Sequence, residues 1–169
     1  GELNCSTRFL NETYSNDTSY GVCPQGFFCP NGTTLPVPCP SGTYSNTSGL
    51  SSVNECAACV PGYFCPEESM TSSRVYECEQ STYCPGGDAA GGVACPVGHV
   101  CDKGLSSPEP CPAGSYQDQL ATSSCKSCPA GSTCAVGASL PGLCKVGHFC
   151  PGGTAYGDES PCPTGTFNP

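Results

Sequence analysis

Residues 23–45 read CPQGFFCPNGTTLPVPCPSGTYS, and residues 95–117 read CPVGHVCDKGLSSPEPCPAGSYQ. The second stretch repeats the first at an offset of 72 residues (Cys23 to Cys95), so that Cys23, Cys29 and Cys39 return as Cys95, Cys101 and Cys111. Cys56, Cys59, Cys65, Cys78 and Cys84 map in the same order onto Cys125, Cys128, Cys134, Cys144 and Cys150, and Cys95 maps onto Cys162. Eight cysteines thus make one unit. The expected organisation is the end of one unit plus a glycosylated linker over 1–55, with Cys5 closing a still earlier unit. A complete eight-cysteine unit follows over 56–124, and an incomplete one over 125–169. Repetition at a fixed period is the mark of an array in which each element packs on its neighbours.

The composition outside the cysteines agrees. Cysteine supplies 18 of 169 residues, Gly 22 and Pro 18, and there is no Trp. Leu, Val and Phe number only 8, 10 and 6, and Ile is absent. So few core formers cannot bury enough apolar surface to offset chain entropy, and the abundance of Gly and Pro interrupts helices and long strands. A large globular enzyme fold is excluded. Cross-links must hold the chain, each contributing roughly 2–4 kcal/mol by restricting the unfolded state. So many bridges persist only in an oxidising compartment, which places the protein outside the cell or on its surface. No secretory leader is present and no apolar run approaches the ~20 residues of a membrane span, so the segment is not itself membrane-inserted and reads as a processed or partial chain.

Within each unit a shorter phrase recurs, C-x-x-G-x-[aromatic]-C, in Cys23 to Cys29, Cys59 to Cys65 and Cys144 to Cys150, with weaker copies from Cys78, Cys95 and Cys128. Gly two residues after Pro, as in Cys95-Pro96-Val97-Gly98, predicts a tight turn, since Pro presets φ and Gly accepts positive φ. Phe28, Phe64, Tyr83, Val100, Thr133 and Phe149 precede the second cysteine. These side chains are expected to pack over the adjacent disulfide as a miniature core.

The phrases CPSGTYS, CPAGSYQ and CPTGTFN resemble the ephrin-receptor-like cysteine-rich repeats of receptor ectodomains and protist surface proteins. The eight-cysteine unit also resembles a laminin-type EGF module, although Cys56-x-x-Cys59 and Cys125-x-x-Cys128 are spaced more widely than its start. The implied fold class is small and disulfide-rich, with tandem EGF-like modules in an extended rod, short β-hairpins and loops, and almost no helix. If one scheme serves every unit and all cysteines pair within the chain, the bridges between units are Cys5–Cys23, Cys84–Cys95 and Cys150–Cys162. The EGF resemblance then implies Cys56–Cys65, Cys59–Cys78 and Cys101–Cys111, repeated as Cys125–Cys134, Cys128–Cys144 and Cys29–Cys39. A tumour-necrosis-factor-receptor-like order, with Cys39–Cys56, Cys59–Cys78 and Cys65–Cys84, is the alternative.

Chemistry-bearing residues are sparse. Five of the seven asparagines, Asn4, Asn11, Asn16, Asn31 and Asn46, begin N-x-S/T triplets, so N-linked glycans are expected on the first third of the chain. Asn54-Glu55-Cys56 is set aside because its cysteine is expected to be bridged. The two C-x-x-C motifs read as structural, because zinc would need four thiolates or imidazoles with no disulfide partners of their own. His99 and His148 occupy equivalent places in VGHVC and VGHFC, where other copies carry Phe27 or Tyr63, and read as packing residues. Glu67, Glu68, Glu77 and Glu79 could collect calcium, but no EF-hand spacing supports that reading. No cofactor is expected. A net charge of −9 opposes nucleic acid and anionic membranes. No nucleophile motif, phosphate loop or carboxylate dyad appears, and no enzyme is expected.

Sequence therefore points to a structural extracellular glycoprotein that forms or decorates a filament, flagellar hair or surface coat. Its partners would be further copies of itself or other extracellular glycoproteins. The alternative is a ligand-binding receptor ectodomain or adhesion stalk. Tyr63, Tyr76, Tyr116 and Tyr156 lie beyond the last sequon and are candidate contact anchors, only one or two of which are expected to be free of packing within their own module.

Overall fold

The computed structural model describes residues 21–166. Seven two-stranded antiparallel hairpins follow one another along it. They pair β1 (Phe27–Phe28) with β2 (Val37–Pro38), β3 (Thr43–Tyr44) with β4 (Ala57–Ala58), and β5 (Tyr63–Phe64) with β6 (Tyr76–Glu77). They continue with β7 (Thr82–Tyr83) and β8 (Val93–Ala94), β9 (His99–Val100) and β10 (Glu109–Pro110), β11 (Ser115–Tyr116) and β12 (Lys126–Ser127), and β13 (Ser132–Thr133) and β14 (Gly142–Leu143). A single bridge between His148 and Pro161 marks an eighth. Every strand has two residues, and no α-helix occurs among the described residues. The fold is a tandem of small cysteine-rich modules.

The unit of repetition is the hairpin. Modules start at Cys23, Cys39, Cys59, Cys78, Cys95, Cys111, Cys128 and Cys144, so the repeat varies from 16 residues (Cys23 to Cys39) to 20 (Cys39 to Cys59). The expected eight-cysteine stretch 56–124 spans four such starts.

Each module is built the same way. The amide three residues after the second position donates back to that position's carbonyl, as in Phe27 N to Pro24 O (3.2 Å) and Ser115 N to Pro112 O (3.1 Å). The fourth residue turns the chain at positive φ, from +74° at Ser81 to +85° at Gly42. That is the third corner of a type II turn, which favours glycine. Two extended residues follow, then a loop, then the returning strand. The next module's first cysteine closes the hairpin by donating to the turn residue's carbonyl, as Cys39 N does to Gly26 O (2.8 Å).

The turn brings the first and seventh residues of a module together, and this fixes the disulfides. Cys23–Cys29, Cys59–Cys65, Cys78–Cys84, Cys95–Cys101, Cys128–Cys134 and Cys144–Cys150 each close a separation of 6 with Cα atoms 5.8–6.1 Å apart. Two modules differ. At their seventh position stand Ser45 and Gln117, almost fully buried at 3% and 2% exposure. Cys39 and Cys111, lacking the usual partner, bond instead to Cys56 and Cys125 on the returning side of their own hairpins. Each C-x-x-C motif is therefore shared between two bridges, its first cysteine completing one module and its second opening the next.

These bonds replace the expected pairing. Cys84–Cys95, Cys56–Cys65, Cys59–Cys78, Cys101–Cys111, Cys125–Cys134, Cys128–Cys144 and Cys29–Cys39 are not formed, because each would join residues that the turn geometry assigns to other partners. Cys150 pairs with Cys144, and Cys162 has no disulfide among the described residues. Of the alternative order, Cys39–Cys56 is present, whereas Cys59–Cys78 and Cys65–Cys84 are not. Cys23 bonds to Cys29 rather than to Cys5, which lies outside the described residues.

Successive modules are joined by a recurrent set of three backbone hydrogen bonds. At the first junction Gly26 N donates to Ser45 O (3.0 Å), Cys29 N to Leu50 O (2.9 Å) and Gly49 N to Cys23 O (2.7 Å). At the seventh the bonds are Gly131 N to Cys150 O (2.8 Å), Cys134 N to Thr154 O (3.0 Å) and Gly153 N to Cys128 O (2.8 Å). The five junctions between them carry the same set. This supplies the polar satisfaction that two-residue strands cannot provide alone. Apart from Leu50 and Met70, the buried hydrophobic residues among those described are all cysteines, so the disulfides themselves are the core.

Candidate interaction surface

Two sequons fall within the described residues. Asn31 and Asn46 are exposed, one just after the Cys23–Cys29 bridge and the other just after Ser45 in the following module. The Asn46 carbonyl accepts from Gln25 Nε2 at 2.8 Å, which ties its turn to the preceding module. Asn4, Asn11 and Asn16 lie outside the described residues. Asn54 sits in a short 3-10 turn, Val53–Glu55, capped by Ser52. The Glu55 carboxylate accepts from the Ser51 amide and hydroxyl, both at 2.9 Å, and these bonds hold it below the usual carboxylate range. The turn leads directly into bridged Cys56.

The tyrosines divide by environment. Tyr63 and Tyr76 pack with Tyr44 against the cluster of Cys59, Cys65 and Met70. Phe64 and Tyr76, opposite one another on β5 and β6, hold their ring centroids 5.6 Å apart. Tyr116 lies beneath Lys126, whose Nζ is 6.0 Å from the ring centroid and is ion-paired with Asp118. That pairing, chiefly through the lysine's hydrogen bond, holds Asp118 below its ordinary value. Phe28 packs on Cys39, Leu50 and Cys56 of the following module, whereas Phe149, expected to pack in the same way, is 49% exposed. Tyr156 is different. It is 54% exposed and free of any such cluster.

Tyr156 lies in a stretch with its own character. From Cys128 to Gly157 the sole Asp, Glu, Lys or Arg is Lys145, and Val136, Leu140, Leu143, Val146 and Phe149 are all solvent-exposed, Leu143 at 92%. Nine carboxylates lie between Glu55 and Asp118, and sequons occupy the first 48 residues. Exposed apolar side chains occur elsewhere too, among them Leu35, Val53, Val75, Val93 and Leu120, but here six fall within the 21 residues from Val136 to Tyr156, which carry a single charge. Sequence reading noticed the sequons but missed the apolar segregation. The signal was available, since residues 128–157 combine aliphatic residues with almost no charge.

His99 and His148 occupy the same turn position in their modules. Their Nδ1 atoms lie 3.1 Å from Val97 O and 3.2 Å from Val146 O, so each ring folds against its own turn. Glu67 and Glu68 border a shallow depression with Met70, Val75 and Tyr76. Glu77 faces Lys103 at 3.3 Å instead. No group of three His, Cys, Asp or Glu residues is arranged to hold a metal ion among the described residues, and none of the helices there is long and apolar enough to cross a membrane.

Residues 98–140, which span parts of three consecutive hairpin modules, match the family described as tyrosine-protein kinase ephrin type A/B receptor-like. The repeated disulfide hairpins and this match are consistent with ephrin-receptor-like cysteine-rich repeats, a module type typical of extracellular domains. The chain is also similar to the putative white-brown complex homolog protein 30 of Arabidopsis thaliana, at 31% identity over 103 residues. That similarity takes in 53% of this chain but 9% of the relative's length.

Proposed function

We propose that this array of ephrin-receptor-like repeats is a non-catalytic, extracellular structural element that associates with copies of itself, as part of a filament, flagellar hair or surface coat. The observation that carries the reading is the density of exposed apolar side chains between Val136 and Tyr156. The glycan acceptors and most carboxylates lie at or before Asp118, while Val136 to Tyr156 expose six large apolar side chains and hold a single charge, Lys145. Exposed apolar surface is where soluble proteins make contacts. A translationally repeated structure meets its neighbours head to tail, and such heterologous contacts generate open assemblies. Glycans on the first third would keep that part solvated and direct association toward the other end.

A second reading, an adhesion or ligand-binding segment of a receptor-like ectodomain, is favoured by the family match at 98–140. Electron microscopy and light scattering of the secreted, glycosylated protein separate the two. Fibres or concentration-dependent growth support self-association. A particle that stays monomeric at every concentration while capturing a soluble protein ligand overturns it in favour of the second.

A further inference from the structure

We propose that the Cys111–Cys125 bridge is a site of thiol–disulfide exchange, opened at Cys125 by an external dithiol while the array around it stays folded. Six bridges lie in the modules that start at Cys39, Cys59, Cys78, Cys95, Cys111 and Cys128. Of their cysteines Cys125 is partly exposed and all the others are buried. An attacking thiolate must reach a sulfur, so access favours this bridge among the six. Cys29 and Cys144, in the first and last of the eight bridged modules, are also partly exposed. Exposure alone therefore does not single out Cys125, and a second observation does.

Side chains already span the two arms that Cys111–Cys125 joins. Gln117 Nε2 donates to Ser124 O at 2.6 Å, on the residue before Cys125, and Asp118 is ion-paired with Lys126, the residue after it. Tyr116 faces Lys126 across β11 and β12, and Cys128 N closes the hairpin on Gly114 O at 2.9 Å. The loop between the arms is bonded to the preceding module, Ala121 N to Cys95 O (2.8 Å) and Cys101 N to Thr122 O (3.1 Å). Both neighbours of Cys125 thus stay anchored when the S–S bond is gone. The other long bridge is placed differently. The Ser45 hydroxyl bonds to Thr47, two residues on, and Cys39 and Cys56 form a buried cluster with Leu50 and Phe28. Opening that bridge disrupts the packing of its module.

The exchange runs in two displacements. One thiolate of the dithiol attacks Cys125 Sγ, forming a mixed disulfide, and the S–S bond to Cys111 breaks with the electron pair leaving on Cys111 Sγ, which takes up a proton. The second thiol of the reagent, as its thiolate, then attacks its own sulfur in the mixed disulfide and expels Cys125 as a thiolate, which is protonated in turn. The bridge is reduced to two thiols and the dithiol is oxidised to its disulfide, with two electrons and two protons transferred. Attack at Cys125 rather than Cys111 follows from burial, because Cys111 is fully enclosed. The product is a folded module that presents a thiol at Cys125.

The test treats the oxidised, secreted protein with limiting dithiothreitol, alkylates the freed thiols at intervals and maps them by mass spectrometry. Cys111 and Cys125 should be alkylated about tenfold or more faster than the cysteines of the other five bridges named above. Amide hydrogen exchange at Gly114, Gln117 and Cys128 should stay slow in the partly reduced protein, whereas opening of Cys39–Cys56 should appear only with loss of protection in its own module. A variant pair separates the covalent from the non-covalent tie. Cys111→Ser with Cys125→Ser should be secreted with its other bridges intact, and adding Gln117→Ala should then abolish protection in that module while Gln117→Ala alone leaves it protected. Reduction of Cys59–Cys65, Cys78–Cys84 or Cys95–Cys101 ahead of Cys111–Cys125 overturns the proposal. So does loss of amide protection at Gly114 and Gln117 as soon as the bridge opens.

Discussion

The carbonyl oxygen of Gly153 lies over Gly114, 2.2 Å from where a Cβ on Gly114 would sit, although the two residues belong to modules two apart. The same approach joins Ser69 to Gly26, Gly87 to Gly42, Gly104 to Gly62 and Gly137 to Gly98, at 2.2–2.5 Å. Turn glycines thus serve both the turn and the stacking of the array. Gly131 has the same φ, +81°, but nothing within 4 Å. Gly114→Ala and Gly131→Ala should share a left-handed backbone strain of roughly 1 kcal/mol. Only Gly114→Ala adds a backbone clash. Thermal unfolding should show Gly114→Ala as clearly the more destabilised of the two, and equal losses would contradict the role given to the close approach.

Among the described residues three other than glycine adopt positive φ, namely Ser69 (+55°), Ser81 (+74°) and Ala121 (+54°). All three fall on module positions that glycine fills elsewhere, so their conformation is imposed by the array rather than by local preference. Ala121 also donates its amide to Cys95 O at 2.8 Å, which fixes it in place. Replacing Ala121 with Gly should relieve the strain and raise stability by about 0.5–1 kcal/mol, less the entropy gained by the unfolded chain. A shift of the thermal midpoint upward would be the readout, and a fall would show that the Ala121 methyl contributes packing.

Ser45 and Gln117 stand where six other modules carry the second cysteine of a short bridge. Gln117 compensates with its side-chain amide, donating from Nε2 to Ser124 O at 2.6 Å and accepting from Gln119 N at 3.1 Å. In Gln117→Cys the introduced thiol should capture Cys111 through the geometry of the short bridges, leaving Cys125 free. Peptide mapping without reduction should then find one new free thiol at Cys125. Retention of the Cys111–Cys125 bond would mean that the returning strand, not the turn, selects the partner.

The hairpin array was legible in part from the sequence. The C-P-x-G phrase located the turns, and the low aliphatic content announced a disulfide core, which the buried cysteines form. The pairing was not legible in the same way. Cys23 has Cys29 six residues on, but an EGF-like arrangement would interleave such neighbours, and spacing alone does not distinguish the two. What decides is that the turn at Gly26 returns the seventh residue to the first. Comparing CPQGFFC with CPSGTYS and CPAGSYQ, in which Ser45 and Gln117 replace a cysteine, holds the clue that Cys39 and Cys111 must look elsewhere. The junction bonds were invisible because they involve backbone groups alone. The apolar stretch 128–157 was overlooked because a search for aromatic anchors draws the eye from Leu140, Leu143 and Val146.

Those aliphatic residues give the surface its sharpest test. Leu143 is 92% exposed on β14, so Leu143→Ser removes little buried area and should leave folding and secretion unchanged. The same holds for Tyr156→Ala, because Tyr156 packs in none of the disulfide clusters. Tyr76 is half-buried against Cys59, Cys65 and Met70 and in tilted ring contact with Phe64, so Tyr76→Ala should instead destabilise its module by about 2 kcal/mol. Scored together for secretion, thermal midpoint and assembly, the first two variants should lower self-association at normal yield. Tyr76→Ala should lower the midpoint first. If Leu143→Ser and Tyr156→Ala assemble like the parent while Tyr76→Ala alone changes assembly at an unchanged midpoint, the contact surface lies on the acidic middle modules and not on residues 128–157.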